Sequence, residues 1–276
     1  MRTREFGSTG AKVSIVGQGT WNMPKHGAAE MRIGIDLGLT HIDTAEMYGK
    51  AEDYVGEAIS GRREEVFLVS KVMPSNASYK KTLQACDTSL KRLKTDYLDV
   101  YLLHWWNGAH PIGETMRAME DLVDAGKIRF IGVSNFDVRQ LRQTEQVLTR
   151  NKIACNQVLY HLRSRGIEHS LLPYCESQNI ALVGYSPFGQ GNFPSAESKQ
   201  GKALAGIGEK HRKTARQVAL RFLTGRKGLF TIPKASDPDH ICENAGGVGW
   251  RLDDEDLKLI DSVFPPPLKN EPLDMI

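Results

Sequence analysis

The chain has 276 residues with 40% apolar and 25% charged content, enough to bury one sizeable core. Its net charge of +3 and isoelectric point near 8.6 are too mildly basic to mark a nucleic-acid binder. Cys86, Cys155, Cys175 and Cys242 form no C-x-x-C pair and join no histidine cluster, so neither a disulfide framework nor a metal site is expected, and a cytoplasmic protein is.

The N-terminus, MRTREFGSTG, lacks the apolar stretch of a signal peptide, and no apolar run is long enough to cross a membrane. Residues 3–14 predict a small hairpin with Gly7 and Gly10 bracketing its turn, placed as a cap on one end of the fold. The apolar run 13–16, ending in Gly-Gln-Gly-Thr-Trp, predicts the first main strand. A rhythm of short β-rich run, loop and amphipathic helix then begins. Strands are predicted at 40–43, 66–71, 97–104, 128–133, 153–158, 180–185 and 229–233. Helices are predicted near 28–38, 51–60, 79–93, 112–125, 137–149, 167–178, 213–224 and 238–246, with a last one near 253–263. Residues 186–202, rich in Gly, Ser and Pro, read as a long functional loop. Lys210, His211, Arg212, Lys213 and Arg216 form the densest basic stretch. They lie on a helical pattern without interleaved aromatics. That reads first as a solvated helix face and second as a site near an anionic ligand.

Alternating strands and helices imply a parallel sheet with right-handed crossovers, and eight such units predict one closed (β/α)8 TIM barrel. No domain boundary is visible, so residues 1–276 read as a single domain with an N-terminal β-hairpin cap and a short C-terminal tail. No strand is followed by G-x-G-x-x-G, which weighs against a Rossmann domain.

Alternate strand residues share a face, and inward ones at the carboxyl ends face the mouth where barrels work. Phe67, Val69 and Lys71 share such a face, as do Leu98, Val100, Leu102 and His104. The same holds for Ile131, Val133 and Asn135, for Ile153, Cys155 and Gln157, and for Ala181, Val183 and Tyr185. Each apolar row ends in a polar residue, and Asp43 closes the second strand. Six polar side chains on one mouth would be costly unless they act together.

Asp43 and Lys71 form a natural ion pair. A lysine cation beside Tyr48 would lower the phenol pKa from about 10 and let it give or take a proton near neutral pH. His104 could orient a bound carbonyl, and Trp21, Trp105 and Trp106 could wall an apolar pocket. No Ser/His/Asp set and no carboxylate pair for glycoside cleavage is present. Proton donation to a carbonyl oxygen is the task these groups suit. It needs a hydride from a nicotinamide cofactor, because no side chain provides one.

These residues sit in segments that resemble the aldo-keto reductase family along nearly the whole chain: HIDTAEMYG (41–49), LVSKV (68–72), DYLDVYLLHW (96–105), IRFIGVSNF (128–136), NQVLYH (156–161), YSPFG (185–189) and IPKASDP (232–238). QGTWNM, LYHLRSRGIE and the Pro-rich tail ending LDMI are similar to the bacterial members that reduce methylglyoxal and other small aldehydes. The resemblance implies a catalytic tetrad of Asp43, Tyr48, Lys71 and His104, with Tyr48 as general acid. It implies that Trp21 and Trp105, with Tyr48 and His104, meet a small carbonyl substrate. It also implies an NADPH site: Gly19, Thr20 and Asp43 beside the nicotinamide end; Ser134, Asn135 and Gln157 on its carboxamide; Tyr185 stacked on its ring; Ser186, Phe188 and Gln190 along the pyrophosphate; Lys234, Ser236 and His240 at the 2′-phosphate end; and Glu243 and Asn244 near the adenine.

Two departures from the family pattern matter. His240 stands where an arginine is usual, and Asp237 where a serine or threonine is usual, so NADP preference rests on Lys234 and use of NAD stays open. The segment after His104 and the tail are short, which favours small aldehydes, dicarbonyls or exposed ketones over bulky steroids. Two other functions fit parts of the pattern. A metal-dependent barrel hydrolase would need more histidine ligands than this mouth offers. A cofactor-binding redox sensor with little turnover would not need the tetrad. A monomer is the family's habit.

Overall fold

The computed structural model describes residues 2–276. Two short strands, β1 (Thr3–Glu5) and β2 (Lys12–Ser14), pair antiparallel as the predicted hairpin. Gly7 and Gly10 take the positive φ angles (+54° and +73°) that its turn requires. Eight parallel strands follow, each hydrogen-bonded to the next: β3 (Gln18–Gly19), β4 (His41–Asp43), β5 (Phe67–Val72), β6 (Leu98–Leu103), β7 (Ile128–Ser134), β8 (Ile153–Leu159), β9 (Ala181–Tyr185) and β10 (Leu229–Thr231). The sheet closes where Val16 bridges Thr231, with Gly17 N donating to Thr231 O at 2.8 Å and Gly19 N to Pro233 O at 3.1 Å. This is the expected (β/α)8 barrel. The hairpin plugs its amino end: Phe6 is fully buried, with its ring centroid 4.9 Å from both Phe67 and Phe230.

The helices are α1 (Gly27–Asp36), α2 (Ala51–Ala58), α3 (Tyr79–Leu93), α4 (Ile112–Asp124), α5 (Val138–Val147), α6 (Leu171–Ser177), α7 (Lys199–His211), α8 (Ala215–Leu223), α9 (Pro238–Ala245) and α10 (Asp254–Val263). Their buried faces form the larger apolar layer with the outward side chains of the strands.

Three expectations are corrected. The run 13–16 is divided between hairpin and barrel, its end at Ile15 and Val16 pairing with Thr231. Val13 and Ser14 belong to the hairpin, and the barrel strand begins at Gln18, after Gly17 tucks its backbone against His41 where a Cβ would collide. Helix α7 starts inside the segment read as a loop, leaving 186–198 as the loop proper. Its glycines disguise it, yet a Cβ at Gly201 would strike Ser195 O and one at Gly208 would strike Lys213 O, so close packing demands these two, while Gly206 faces open space.

The inward rows also differ. Ile131 and Val133 face the helices, and the barrel interior is met by Phe130 and by Gly132, whose missing Cβ leaves room for Leu102 and Cys155. Ile153 and Leu98 likewise join the outer layer. A register shift pairs Ile131 with Ile153 but Gly132 with Cys155, so Ala154 is an extra residue and β8 changes face there.

Candidate active site

Strand ends deliver the polar groups to one mouth. Asp43 ends β4, and Lys71 lies in β5, with side chains 3% and 0% exposed; Lys71 Nζ donates to Asp43 Oδ1 at 2.6 Å and to Thr44 O at 2.8 Å. Gln157 Nε2 donates to the other carboxylate oxygen at 2.7 Å. The buried charges are therefore paired and hydrogen-bonded, which is what makes their burial tolerable. Burial alone would lower the Lys71 pKa. The Asp43 carboxylate and Tyr48 outweigh it and hold the ammonium above its ordinary value.

Tyr48 lies on the turn after β4, with Lys71 Nζ 4.9 Å from its ring centroid and the His104 ring edge-on at 5.6 Å. The expected lowering of its pKa is not the net result. Burial raises it, Lys71 pulls it down without reversing the shift, and Asp43 adds a further rise. The phenol is protonated at neutral pH, the form a proton donor needs. His104 is pushed down to about 3 by burial and then by the Lys71 charge, so its imidazole is neutral, with Nδ1 buried and unpartnered. Trp105 sits against it, ring centroids 5.2 Å apart, and Trp21 is half-exposed at the rim. Trp106 does not wall the mouth. Its Nε1 donates to His110 O at 2.9 Å and its ring stacks on Phe136, away from the tetrad.

Asn135 reaches the mouth by a left-handed turn (φ +61°) after β7, not by strand alternation. Its Nδ2 donates to His104 O and to Ser134 Oγ, both at 3.2 Å, and its Oδ1 accepts from the Tyr185 hydroxyl at 3.0 Å. Ser134 is buried and donates to Gln157 O at 2.9 Å. Sequence reasoning overlooked Glu46. Its carboxylate accepts from Met73 N and the Asn76 side chain, stitching the Tyr48 turn to the end of β5. A carboxylate two residues before a site tyrosine was the signal available.

The remaining cofactor candidates lie at or after the carboxyl ends of β3, β9 and β10. Gly19 lies in the seam, where a Cβ would meet Ile232 O at 2.7 Å. The Thr20 hydroxyl is buried without a partner among the described residues. Ser186, Gly189, Gln190 and Gly191 have positive φ (+50°, +66°, +48°, +90°), and the N–H groups of Phe188 and Gln190 find no acceptor among the described residues. Gly189 N, between them, donates to Ser186 O at 2.8 Å, so the two free amides alternate along a left-handed loop whose remaining donors suit an anion. Lys234 Nζ donates to Ser236 Oγ at 3.0 Å at the far end. Asp237 does not confront that end: its Oδ1 accepts from Asp239 N and caps α9, on which His240 is exposed, Glu243 half-buried and Asn244 buried. An orphaned hydroxyl, two free loop amides and a cation beyond them fit a nicotinamide dinucleotide. A cavity of about 790 Å³ lies elsewhere, between α5 and the tail residues 270–274, and its lining includes no member of the tetrad.

The match to the Aldo/keto reductase family model spans residues 15–264. The chain belongs to this family. It is 45% identical over 269 residues to methylglyoxal reductase YeaE of Escherichia coli, covering 95% of this chain and 94% of that one. It is 41% identical over 238 residues to glyoxal reductase of Bacillus subtilis, covering 84% and 82%. Among solved structures, an aldo/keto reductase from Klebsiella pneumoniae in complex with NADP and acetate superposes with TM-score 0.90 at 42% identity, covering 100% of this chain and 99% of the other. Another from the same organism, in complex with NADPH, reaches TM-score 0.92 at 41% identity with the same coverage.

The site has a pH signature. His41, fully buried beside Phe6, Phe67 and Phe230 with neither ring nitrogen partnered, is pushed down to about 3 by burial and then by the Lys71 charge, as His104 is. Both are neutral when folded and titrate near 6.5 when unfolded. A depressed folded pKa means stability present above about 6.5 and lost as pH falls towards 3, at about 1.4 kcal/mol per pH unit for each group. Replacing His41 with Leu is expected to reduce that acid slope by about 1.4 kcal/mol per pH unit. Denaturant unfolding between about pH 4 and pH 6 checks it, and an unchanged slope would refute a neutral, unpartnered His41.

Proposed function

We propose that this chain is an NADP(H)-dependent carbonyl reductase acting on small aldehydes and dicarbonyls of the methylglyoxal kind, working as a monomer in the cytoplasm. The observation that carries the reading is the buried Asp43–Lys71 pair beside a protonated Tyr48 and a neutral His104. The names of the E. coli and B. subtilis relatives and the dinucleotides in the K. pneumoniae structures support it. No helix among the described residues is long and apolar enough to cross a membrane, and all four cysteines are free.

A bound reduced nicotinamide provides the hydride. The chain's own part begins with holding the carbonyl oxygen between Tyr48 and His104, where the neutral imidazole donates its N–H without bringing a positive charge. Tyr48 then delivers its proton to the oxygen as negative charge builds there. Lys71 stabilises the phenolate that remains, and Asp43 keeps Lys71 charged and fixed. Gln157 anchors Asp43 through Nε2, which leaves its Oε1 for the carboxamide. Tyr185 and Asn135 form the platform for the ring, with Ser134 behind them.

The test is loss of reduced-nicotinamide absorbance with methylglyoxal, run with NADPH and with NADH. Oxidation favouring NADPH is expected. Replacing Lys234 with Ala should weaken NADPH by about tenfold and NADH far less, since one charge-assisted phosphate contact is lost. Equal losses would mean Lys234 does not read the 2′-phosphate. Tight cofactor binding with no turnover across an aldehyde panel would overturn the reductase reading.

A further inference from the structure

The basic stretch at 210–216 divides in the fold. Lys210 donates to Asp256 at 3.0 Å and also meets Asp253, while His211 Nε2 lies 2.7 Å from Asp256. Arg212 ends α7 in a left-handed turn and is exposed. Arg216 behaves differently. It is half-buried, has no carboxylate partner among the described residues, and its guanidinium carbon lies 4.9 Å from the Phe188 ring centroid and 5.0 Å from that of Phe193. The two rings meet edge-to-face at 5.7 Å, so one cation holds both.

Both rings belong to the loop 186–198, whose backbone turns left-handed at Ser186, Gly189, Gln190 and Gly191. Arg216 stands on the first turn of α8, whose start is fixed by a reciprocal capping box between Thr214 and Gln217. A capped helix end thus grips this loop through a single unneutralised charge. The loop's free amides, at Phe188 and Gln190, lie next to one of the gripped rings. We infer that Arg216 is a cofactor-positioning residue: it holds the loop in its anion-ready shape through Phe188 and Phe193, on the side that meets the dinucleotide pyrophosphate. This rests on the functional reading above, which places that loop along the pyrophosphate.

The test is dissociation constants from quenching of tryptophan fluorescence by NADPH, NADH and adenosine 2′-monophosphate, which has no pyrophosphate. For Arg216→Gln, both dinucleotides should bind about tenfold more weakly, the worth of two exposed cation–π contacts. Adenosine 2′-monophosphate should bind as before. Arg216→Lys should recover part of the loss, since an ammonium can still sit over one ring. Phe193→Leu should weaken both dinucleotides with Arg216 intact, and it stands as the test if the arginine variant folds poorly. Limited proteolysis without cofactor should cut the loop faster in Arg216→Gln than in the parent. Unchanged dissociation constants in both Arg216→Gln and Phe193→Leu would overturn the inference. So would a loss confined to NADPH and adenosine 2′-monophosphate, which would make Arg216 a reader of the 2′-phosphate. Failure of the unaltered chain to bind either dinucleotide would instead defeat the functional reading, and the inference with it.

Discussion

Replacing Tyr48 with Phe is expected to cut turnover by about 10²–10⁴-fold while leaving the NADPH dissociation constant within about twofold of the parent value. The substitution removes one hydroxyl and keeps the ring that packs beside Lys71 and His104. Burial holds the phenol in its protonated form, so the missing atom is a proton donor and not a resident charge. The loss should therefore fall on turnover and spare cofactor binding. Steady-state kinetics with methylglyoxal and a fluorescence titration with NADPH separate the two. Near-normal turnover would remove Tyr48 from its role, and a parallel loss of cofactor affinity would recast it as a binding residue.

The second large effect concerns Lys71. Changing it to Met leaves the Asp43 carboxylate buried with Gln157 as its side-chain partner. Breaking one half of a buried ion pair costs about 3–5 kcal/mol, which for a chain of this size lowers Tm by roughly 10 °C. Turnover should fall as well, because the Tyr48 phenolate loses the cation that stabilises it. The double variant Lys71→Met with Asp43→Asn is the informative partner. It removes the orphaned charge, so it should regain most of the lost Tm and none of the lost turnover. Calorimetry and kinetics on the same samples read both. If the double variant stays as unstable as the single one, unpaired charge is not the cause. If it regains turnover, Lys71 has no part in the chemistry.

The pH behaviour of the site follows from the same burial. Asp43, Lys71, Tyr48 and His104 share one low-dielectric mouth, and each is held in the state that the others permit. A neutral His104 beside a charged Lys71 avoids two adjacent cations. A protonated Tyr48 beside Asp43 avoids two adjacent anions.

The sequence alone determined a good deal. The β/α rhythm, the eight-unit count and the polar residue at each strand end are local patterns, set by side-chain period and turn chemistry, and they predict the barrel and its working face. Asp43, Lys71, His104, Gln157 and Tyr185 were legible as members of one mouth for that reason, and Tyr48 from the turn that follows Asp43. Tertiary structure decided what depends on distant parts of the chain. Strand facing is one such case: the shift at Ala154 turns Ile153 outward, and Asn135 arrives by a left-handed turn where alternation would have placed it differently. Helix α7 is another, because its glycines carry low helix propensity, and Gly201 and Gly208 are explained only by the carbonyls of Ser195 and Lys213 packed against them. The pairing of Gln157 with Asp43, 114 positions apart, has no local trace. Nor does the direction of the Tyr48 shift, because a lysine can be seen in the sequence while the burial that outweighs it cannot. Arg216 shows the same division. Its charge is written in the chain, but only the fold sets it between two rings of a loop more than twenty residues away.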